Sequence, residues 1–427
     1  MKQSVLVVGS GGREHALARR IAVSKDVDRV FIAPGNGGTP DCGENIPINA
    51  HEINKLAQFA RDNHISFTVV GPDEPLALGI VDCFTGNNPP IFGPTRGAAQ
   101  TESSKIFAKQ LMQRKGILTA PFQICDSYQD AWKTVWNRRF PFVVKADGLA
   151  GGKGAYVCYD ISDTKTALQE LMIDRRFGSS GDRVIIEDFI PGWEVSIHAL
   201  VDKHNIIMFP PARDYKTIHE GGEGPNTGGM GCIAPLSDVS DRMMEEIRDT
   251  IIVPVLEGLR ELGIIFRGLL YPGLKITSSG NIYVLEINVR FGDPETLVLL
   301  ELMDADLFHV LEACAYDRLD EVRIEWRNNI HSVCVTLCSA GYPSRTTSDV
   351  PIRGIEVLEK IPGITVYHGG TVYNHRENNY YALGGKRVLY VVSCGTSIEK
   401  VQQTIYNAIP HVDFDGMYYR RDIGISV

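Results

Sequence analysis

The 427-residue sequence has no apolar run approaching the roughly 18 residues of a membrane span, and its first apolar stretch, Ser4 to Val8, is too short for a signal-peptide core. Neither membrane insertion nor secretion is expected. Its nine cysteines are odd in number, scattered from Cys42 to Cys394, and contain no CxxC; the closest pair, Cys334 and Cys338, sits in the strand-like HSVCVTLC. This pattern indicates reduced thiols in a cytoplasmic protein and excludes a disulfide framework or zinc cluster. Eleven histidines include no HExxH or HxH, and no GxSxG elbow occurs, so hydrolase and metalloprotease readings fall away. His198 and His331 read as core or surface residues. A positive excess is also missing: 43 Lys and Arg face 52 Asp and Glu, for a net charge of −9. No global field attracts nucleic acid or an anionic membrane, and any phosphate must be held by local donors. There is no repeat and no low-complexity tract.

What remains is a chain with 44% hydrophobic and 22% charged residues, long enough for about three domains at roughly 150 residues each. Residues 1 to about 100 alternate apolar runs (SVLVVG, RVFIAPGNGG, SFTVVGPDEP) with helical patterns near Gly12 to Ser24 and Ile53 to Asn63. Such alternation implies a doubly wound parallel sheet covered on both faces. Ligands bind such sheets beyond the strand carboxyl ends, where the turns at Gly9–Gly12, Pro34–Gly38 and Gly71–Pro75 can line one crevice. A second unit opens with SSKIFAKQLMQRKG, whose serine pair can cap a helix that Gly116 ends. It continues through glycine-punctuated strands, a long helical pattern from about Ser240 to Leu262, and a Ser-Ser-Gly turn between two strands. From about His331 the pattern becomes α+β, ending in a helix opened by a Thr396-x-x-Glu399 capping box.

Several segments carry chemistry. GSGGREHALA follows a strand and opens a helix, a place where backbone N–H groups and the helix dipole can meet a phosphate; a plain tight turn explains it equally well. It is no dinucleotide fingerprint, because Glu14 stands where the third glycine is needed. In VVKADGLAGGKG a strand delivers Lys145 beside a loop with Gly148, Gly151, Gly152, Lys153 and Gly154. Asp147 and Gly154 break the Walker A pattern, but the loop can still fold N–H groups over triphosphate oxygens while lysines neutralise charge. IIEDFIPGWEVS ends an apolar strand with Glu187, Asp188, Phe189 and Ile190, whose backbone could meet an adenine edge, with Glu194 available to ribose hydroxyls. On the strand YVLEINVRFGDPE, Glu286, Asn288 and Arg290 alternate with apolar residues and share one face, offering two hard oxygen ligands for Mg²⁺ and a clamp for a carboxylate or acyl phosphate. EGPNTGGMG offers Asn226, Thr227 and Gly228 in a loop of little steric bulk, preceded by Arg213, Asp214 and Lys216.

Taken in order, GSGGREHALA, APGNGGT, VVGPDEPLALGIVD, FGPT with AAQTESSK, VVKADGLAGGKG, GPNTGGMG, NVRFGDPE and the closing RRDIG resemble the phosphoribosylamine-glycine ligase (glycinamide ribonucleotide synthetase) family of the ATP-grasp superfamily, over essentially the whole chain. The resemblance implies an N-terminal α/β domain at 1–103, an ATP-grasp domain at 104–326 with a mobile subdomain about 121–193, and a small α+β domain at 327–427. It implies a cytoplasmic enzyme of purine biosynthesis with one activity. Glycine's carboxylate would attack the γ-phosphate of ATP, and 5-phosphoribosylamine would then displace phosphate from glycyl phosphate.

By the same resemblance Lys105 and Lys145 would hold phosphates under the loop Gly148 to Gly154, including Gly151, Gly152 and Lys153. Glu187, Asp188, Phe189 and Ile190 would take adenine, Glu194 the ribose, and Glu286 and Asn288 Mg²⁺ or Mn²⁺. Lys145, Asp214 and Arg290 would act on the reacting groups. Gly11, Gly12, Arg13, Glu14 and Asn36 would receive phosphoribosylamine, with Asp214, Asn226, Thr227, Gly228 and Arg290 completing the substrate pocket. Transient contact with neighbouring purine enzymes would suit the unstable amine. The family's S-x-D-H-K-R reads Ala212-Arg213-Asp214-Tyr215-Lys216-Thr217 here, and its F-N-x-R reads Ile287-Asn288-Val289-Arg290. The rival readings are another ATP-grasp carboxylate-amine ligase, a nicotinamide-dependent oxidoreductase, and a nucleotide-binding regulator without turnover.

Overall fold

A computed structural model describes residues 2–84 and 89–425. Strands β1 (Gln3–Gly9), β2 (Val27–Pro34), β3 (Glu44–Asn45), β4 (Phe67–Val70) and β5 (Ile91–Phe92) form an all-parallel sheet in the order β3-β2-β1-β4-β5. Val5 to Val8 are fully buried, which is why this strand reads as a continuous apolar run: both faces are covered, one by helix α1 (Gly12–Ala22). Strand order reverses beside β1, and its glycine turn therefore opens at the switch point of the sheet.

The lysine-loop segment folds around its own core. Phe122–Cys125, Val184–Asp188, Phe142–Ala146 and Ala155–Cys158 make a four-stranded antiparallel sheet in that spatial order. Phe142, Val144, Ile186, Leu168 and Leu171 pack together beneath it as a cluster separate from the main cores. Facing it is a five-stranded sheet centred on Gly268–Ile276, whose partner Ile282–Asn288 follows through a turn at Gly280 (φ 84°). In that pair Tyr271 opposes Asn288 and Gly273 opposes Glu286, with a bulge immediately beyond Gly273.

The long helical pattern is continuous, as Asp241–Ile247, a π-turn at Arg248–Ile252, and Val253–Glu261, capped by Ser240 and closed by Gly263 at φ 76°. In the final unit His331–Cys338, Arg387–Gly395 and Ile364–His368 form a sheet that two central strands, Gly231–Ala234 and Arg213–Asp214, extend. No local pattern announces that sharing. One cap differs from expectation: the last helix, Ile398–Ala408, is capped by Ser397, which accepts from the Lys400 N–H, because Ser397 and not Thr396 holds the extended backbone next to the first helical turn.

His198 is a core residue. It is fully buried and stacks on Tyr271 with ring centroids 4.1 Å apart, and neither ring nitrogen has a hydrogen-bond partner. Burial lowers its pKa to about 4 from an ordinary 6.5. The unfolded chain thus binds the extra proton between these values, so His198 opposes unfolding fully above pH 6.5 and loses that contribution as pH falls toward 4, by about 3 kcal/mol at most. His198→Phe should shrink the difference in thermal midpoint between pH 7 and pH 5 measured by calorimetry. An unchanged difference would show that the imidazole does not drive it.

Candidate active site

The two facing sheets enclose a cleft. Its inner cavity is lined by Lys145, Gly151, Gly152, Glu187, Asp188, Phe189 and Ile190 from the lysine-loop side, and by Glu194 from the strand Trp193–Ser196 of the facing sheet. Asp214, Lys216, Asn226, Thr227, Gly228, Glu286, Asn288 and Arg290 line the other side, with Arg13 at the edge. A second cavity continues past Lys145 to Lys105, Lys109, Glu102 and Gly154. A third opens at the β1 switch point between Gly11, Asn36, Lys153, Tyr342, Lys386 and Arg387. The first and third share Gly151, Gly228, Asp293 and Arg387, so the three form one continuous hollow.

Cations and carboxylates are interleaved along it. Lys145 Nζ lies 2.5 Å from Glu187 Oε1 and donates to the Leu285 carbonyl at 3.0 Å. Lys109 pairs with the other oxygen of Glu187, also at 2.5 Å. Burial raises the Glu187 carboxyl, but the two ammonium groups outweigh it and leave its pKa below the ordinary value. Lys105 stands at the start of the helix Lys105–Arg114, which Ser104 caps, and its Nζ donates to the Gly148 carbonyl at 3.1 Å. Burial lowers its pKa. Asp147 anchors the loop to that helix by accepting from Ser104 Oγ and the Ile106 N–H, both at 2.9 Å.

Across the cleft, Lys216 Nζ lies 3.2 Å from Glu286 Oε1 and 3.8 Å from Glu194. Lys216, followed by Lys145 and Lys105, holds the Glu286 carboxyl well below the usual carboxylate range despite its burial. It is an anion aimed at a cavity rich in lysine. The Asn288 amide donates weakly to the Tyr271 carbonyl (3.4 Å), which directs Oδ1 toward Arg290, 3.2 Å away. Glu286 and Asn288 thus present oxygen donors on one strand face, a set that fits a hard divalent cation. Arg290 pairs with Glu102 at 2.9 Å, and Glu102 also accepts from the Val289 N–H at 2.8 Å. Burial raises Glu102 to about 7 against the opposing pull of Arg290. Asp214 is raised by burial and by Glu295, and its Oδ1 is buried without a hydrogen-bond partner.

Among the N-terminal residues, Gly11 and Asn36 border the third cavity, whereas Gly12 and Glu14 do not border these cavities. Glu14 is 1% exposed, and its carboxylate accepts from the Gly11 N–H and from Arg13 Nε, each at 2.5 Å. It caps its own helix. This accounts for neighbouring glycines, since a Cβ on Gly9 or Gly71 would overlap the Glu14 side chain. Gly12 is needed for packing, because a Cβ would fall 2.4 Å from the Tyr390 ring. The Asn36 side chain is spent on the loop: Nδ2 donates to Ser10 and His368 carbonyls, while Oδ1 accepts from Gly38 and Thr39.

The sequence reading missed Arg387, Tyr342, Lys386, Glu102 and Lys109. Arg387 donates to the Asp293 carbonyl at 2.7 Å and to the Gly228 carbonyl, and pairs with the Asp293 carboxylate at 3.3 Å; Tyr342 accepts from the Gly228 N–H at 2.8 Å. Lys153 donates to the Pro343 carbonyl at 3.0 Å. The turn Gly384-Gly385-Lys386-Arg387 was the one available signal, being basic and glycine-rich like the loops already singled out.

Two facing sheets with a glycine-rich, lysine-bearing loop between them define an ATP-grasp protein. Residues 103–296 match the model described as phosphoribosylglycinamide synthetase, ATP-grasp (A) domain; residues 3–102 match its N domain and 332–426 its C domain. The chain is 42% identical to a phosphoribosylamine–glycine ligase of Caldanaerobacter subterraneus, over 98% of this chain and 99% of that protein. It is 40% identical to a trifunctional purine biosynthetic protein of Gallus gallus, spanning 99% of this chain and 42% of that one. The crystal structure of a phosphoribosylamine–glycine ligase from Thermotoga maritima superposes with a TM-score of 0.79 at 31% identity, covering 98% of this chain and all of that one. A biotin carboxylase domain of Hydrogenobacter thermophilus, solved with MgADP, shares the fold at a TM-score of 0.72 and 16% identity. The chain therefore belongs to the phosphoribosylglycinamide synthetase family, whose members are ATP-dependent carboxylate-amine ligases of purine biosynthesis.

Arg387→Met would leave the buried Asp293 carboxylate without its cation, a change that costs about 3–5 kcal/mol. The thermal midpoint should fall, and adding Asp293→Asn should recover part of the loss. Equal midpoints for all three proteins would remove Arg387 as the tie between the Gly228 loop and the C-terminal sheet.

Proposed function

We propose that this cleft joins glycine to 5-phosphoribosylamine with cleavage of ATP to ADP and phosphate, giving glycinamide ribonucleotide. The observation that carries the reading is the continuity of the hollow: the lysine-rich cavity at Lys105 and Lys145 adjoins the inner cavity, which in turn adjoins the one between the β1 turn and Arg387. A phosphorylated donor and a phosphorylated amine could meet there around a small carboxylate.

In this reading the backbone of Glu187 to Ile190 receives adenine and Glu194 the ribose, while Lys105, Lys145 and the loop Gly148–Gly154 surround the phosphates. A magnesium or manganese ion held by Glu286 and Asn288 would neutralise phosphate oxygens when bound. Arg290 orients the glycine carboxylate for attack on the γ-phosphorus, and the charge passing to the acyl phosphate stays within reach of its guanidinium. Asp214, buried and raised in pKa, is placed to take a proton from the incoming amine as the C–N bond forms and phosphate leaves. Gly11, Asn36, Asn226, Thr227 and Gly228 frame the phosphoribosylamine side. Closure of the loop against Tyr342 and Pro343 would keep water from an acyl phosphate that it would otherwise destroy.

Domain limits at 103/104 and 326/327 are part of this reading, supported by the stretches 3–102, 103–296 and 332–426 that the family models match, and a mobile subdomain at about 121–193 by the separate core of the lysine-loop sheet. Nine cysteines scattered along the chain suit the reducing cytoplasm. Transient contact with other purine enzymes is supported by the chicken relative, in which the counterpart of this chain is part of a trifunctional protein.

ADP release is expected to need glycine, freshly generated phosphoribosylamine and Mg²⁺ together; equal release without either substrate would contradict the assignment. Glu286→Gln should lower turnover on the order of a hundredfold with the fold intact by circular dichroism. Parental turnover in that variant would overturn the metal assignment.

A further inference from the structure

Lys109 has no part in the reaction as described, yet it is the most deeply committed cation near the cleft. It lies one turn beyond Lys105 on the helix Lys105–Arg114, and its side chain is 3% exposed. Its ammonium group pairs with Glu187 Oε2 at 2.5 Å and donates to Thr119 Oγ1 at 2.7 Å and to the Ala120 carbonyl at 3.5 Å. The Phe122 ring lies 5.5 Å away on another side. Lys145 shares the same carboxylate through Oε1, but it borders both inner cavities. One buried carboxylate therefore carries two ammonium groups: Lys109, held by Thr119 and Ala120 and bordering only the second cavity, and Lys145, which borders both.

This arrangement answers a physical difficulty. If Lys145 alone neutralised Glu187, turning its ammonium group to a phosphate would strand a buried carboxylate, and uncompensated buried charge is strongly unfavourable. A second, immobile cation removes that cost. We propose that Lys109 is a positioning residue that keeps Glu187 charge-compensated, so that Lys145 can pass from the carboxylate to a nucleotide phosphate. The proposal rests on reading the cleft as an ATP site.

The experiment compares equilibrium binding of ATP and of adenosine, which has no phosphate, to the full-length protein and its variants by titration calorimetry. Lys109→Met should weaken ATP about tenfold or more while adenosine affinity stays within about twofold, because Glu187 then retains Lys145. Adding Glu187→Gln to Lys109→Met should restore most of the ATP affinity, and Lys109→Arg should lose little. Lys109→Gln, which keeps a donor for Thr119, gives the same reading should the methionine variant not fold. Equal losses for ATP and adenosine, no loss at all, or no rescue by Glu187→Gln would overturn the proposal. Lys145→Met separates the two levels: if it leaves ATP affinity unchanged the nucleotide reading has failed, whereas if it weakens ATP and Lys109→Met does not, only the role of Lys109 has failed.

Discussion

The position of the strand and turn that carry Glu286, Asn288 and Arg290 depends on Glu102. This carboxylate, at the end of the helix Arg96–Ser103, accepts from the Val289 N–H and pairs with Arg290, and so fixes the segment that carries Glu286, Asn288 and Arg290. Arg13 holds the same segment from the other side by donating to the Phe291 carbonyl at 3.0 Å. The residues that follow the strand Ile282–Asn288 are thereby tied to the helices Arg96–Ser103 and Gly12–Ala22. The roles proposed for metal ligation and acyl-phosphate stabilisation both use side chains on this strand and turn.

An acidic chain that binds phosphorylated ligands needs cations that its overall charge does not supply. The solution is local: Lys145 with Glu187, Lys216 with Glu286, Arg290 with Glu102, and Arg387 with Asp293. Pairing lets these cations be buried, keeps them in place, and leaves their fields available over the few ångströms that matter in a cavity with little water. The net charge of −9 is then no obstacle to binding anions.

Much of this was legible in the sequence, for identifiable reasons. The N-terminal parallel sheet announces itself because strands buried on both faces must be continuously apolar, as Val5 to Val8 are. The face shared by Glu286, Asn288 and Arg290 follows from strand alternation, and the lysine loop from its glycines. Glu14 was legible only as a departure from a nucleotide fingerprint; its folded role, capping its own helix beneath Gly9 and Gly71, depends on packing. Glu102 and the strand pairing of Gly231–Ala234 with His331–Cys338 were invisible because their partners lie far away in sequence, and the basic, glycine-rich turn before Arg387 could not show that Arg387 reaches Gly228 across 159 positions. Lys109 gave no signal for the same reason: a lysine on a helix reads as solvated until the fold turns it inward.

The central claim is that the γ-phosphate passes to the carboxylate of glycine before the amide bond forms. Carrying out the complete reaction with glycine labelled by oxygen-18 in its carboxylate, and analysing the products by mass spectrometry, tests it directly. Transfer through an acyl phosphate predicts one labelled oxygen in the released phosphate and one retained in the amide of the product; label-free phosphate with ADP formed in equal amount would contradict it.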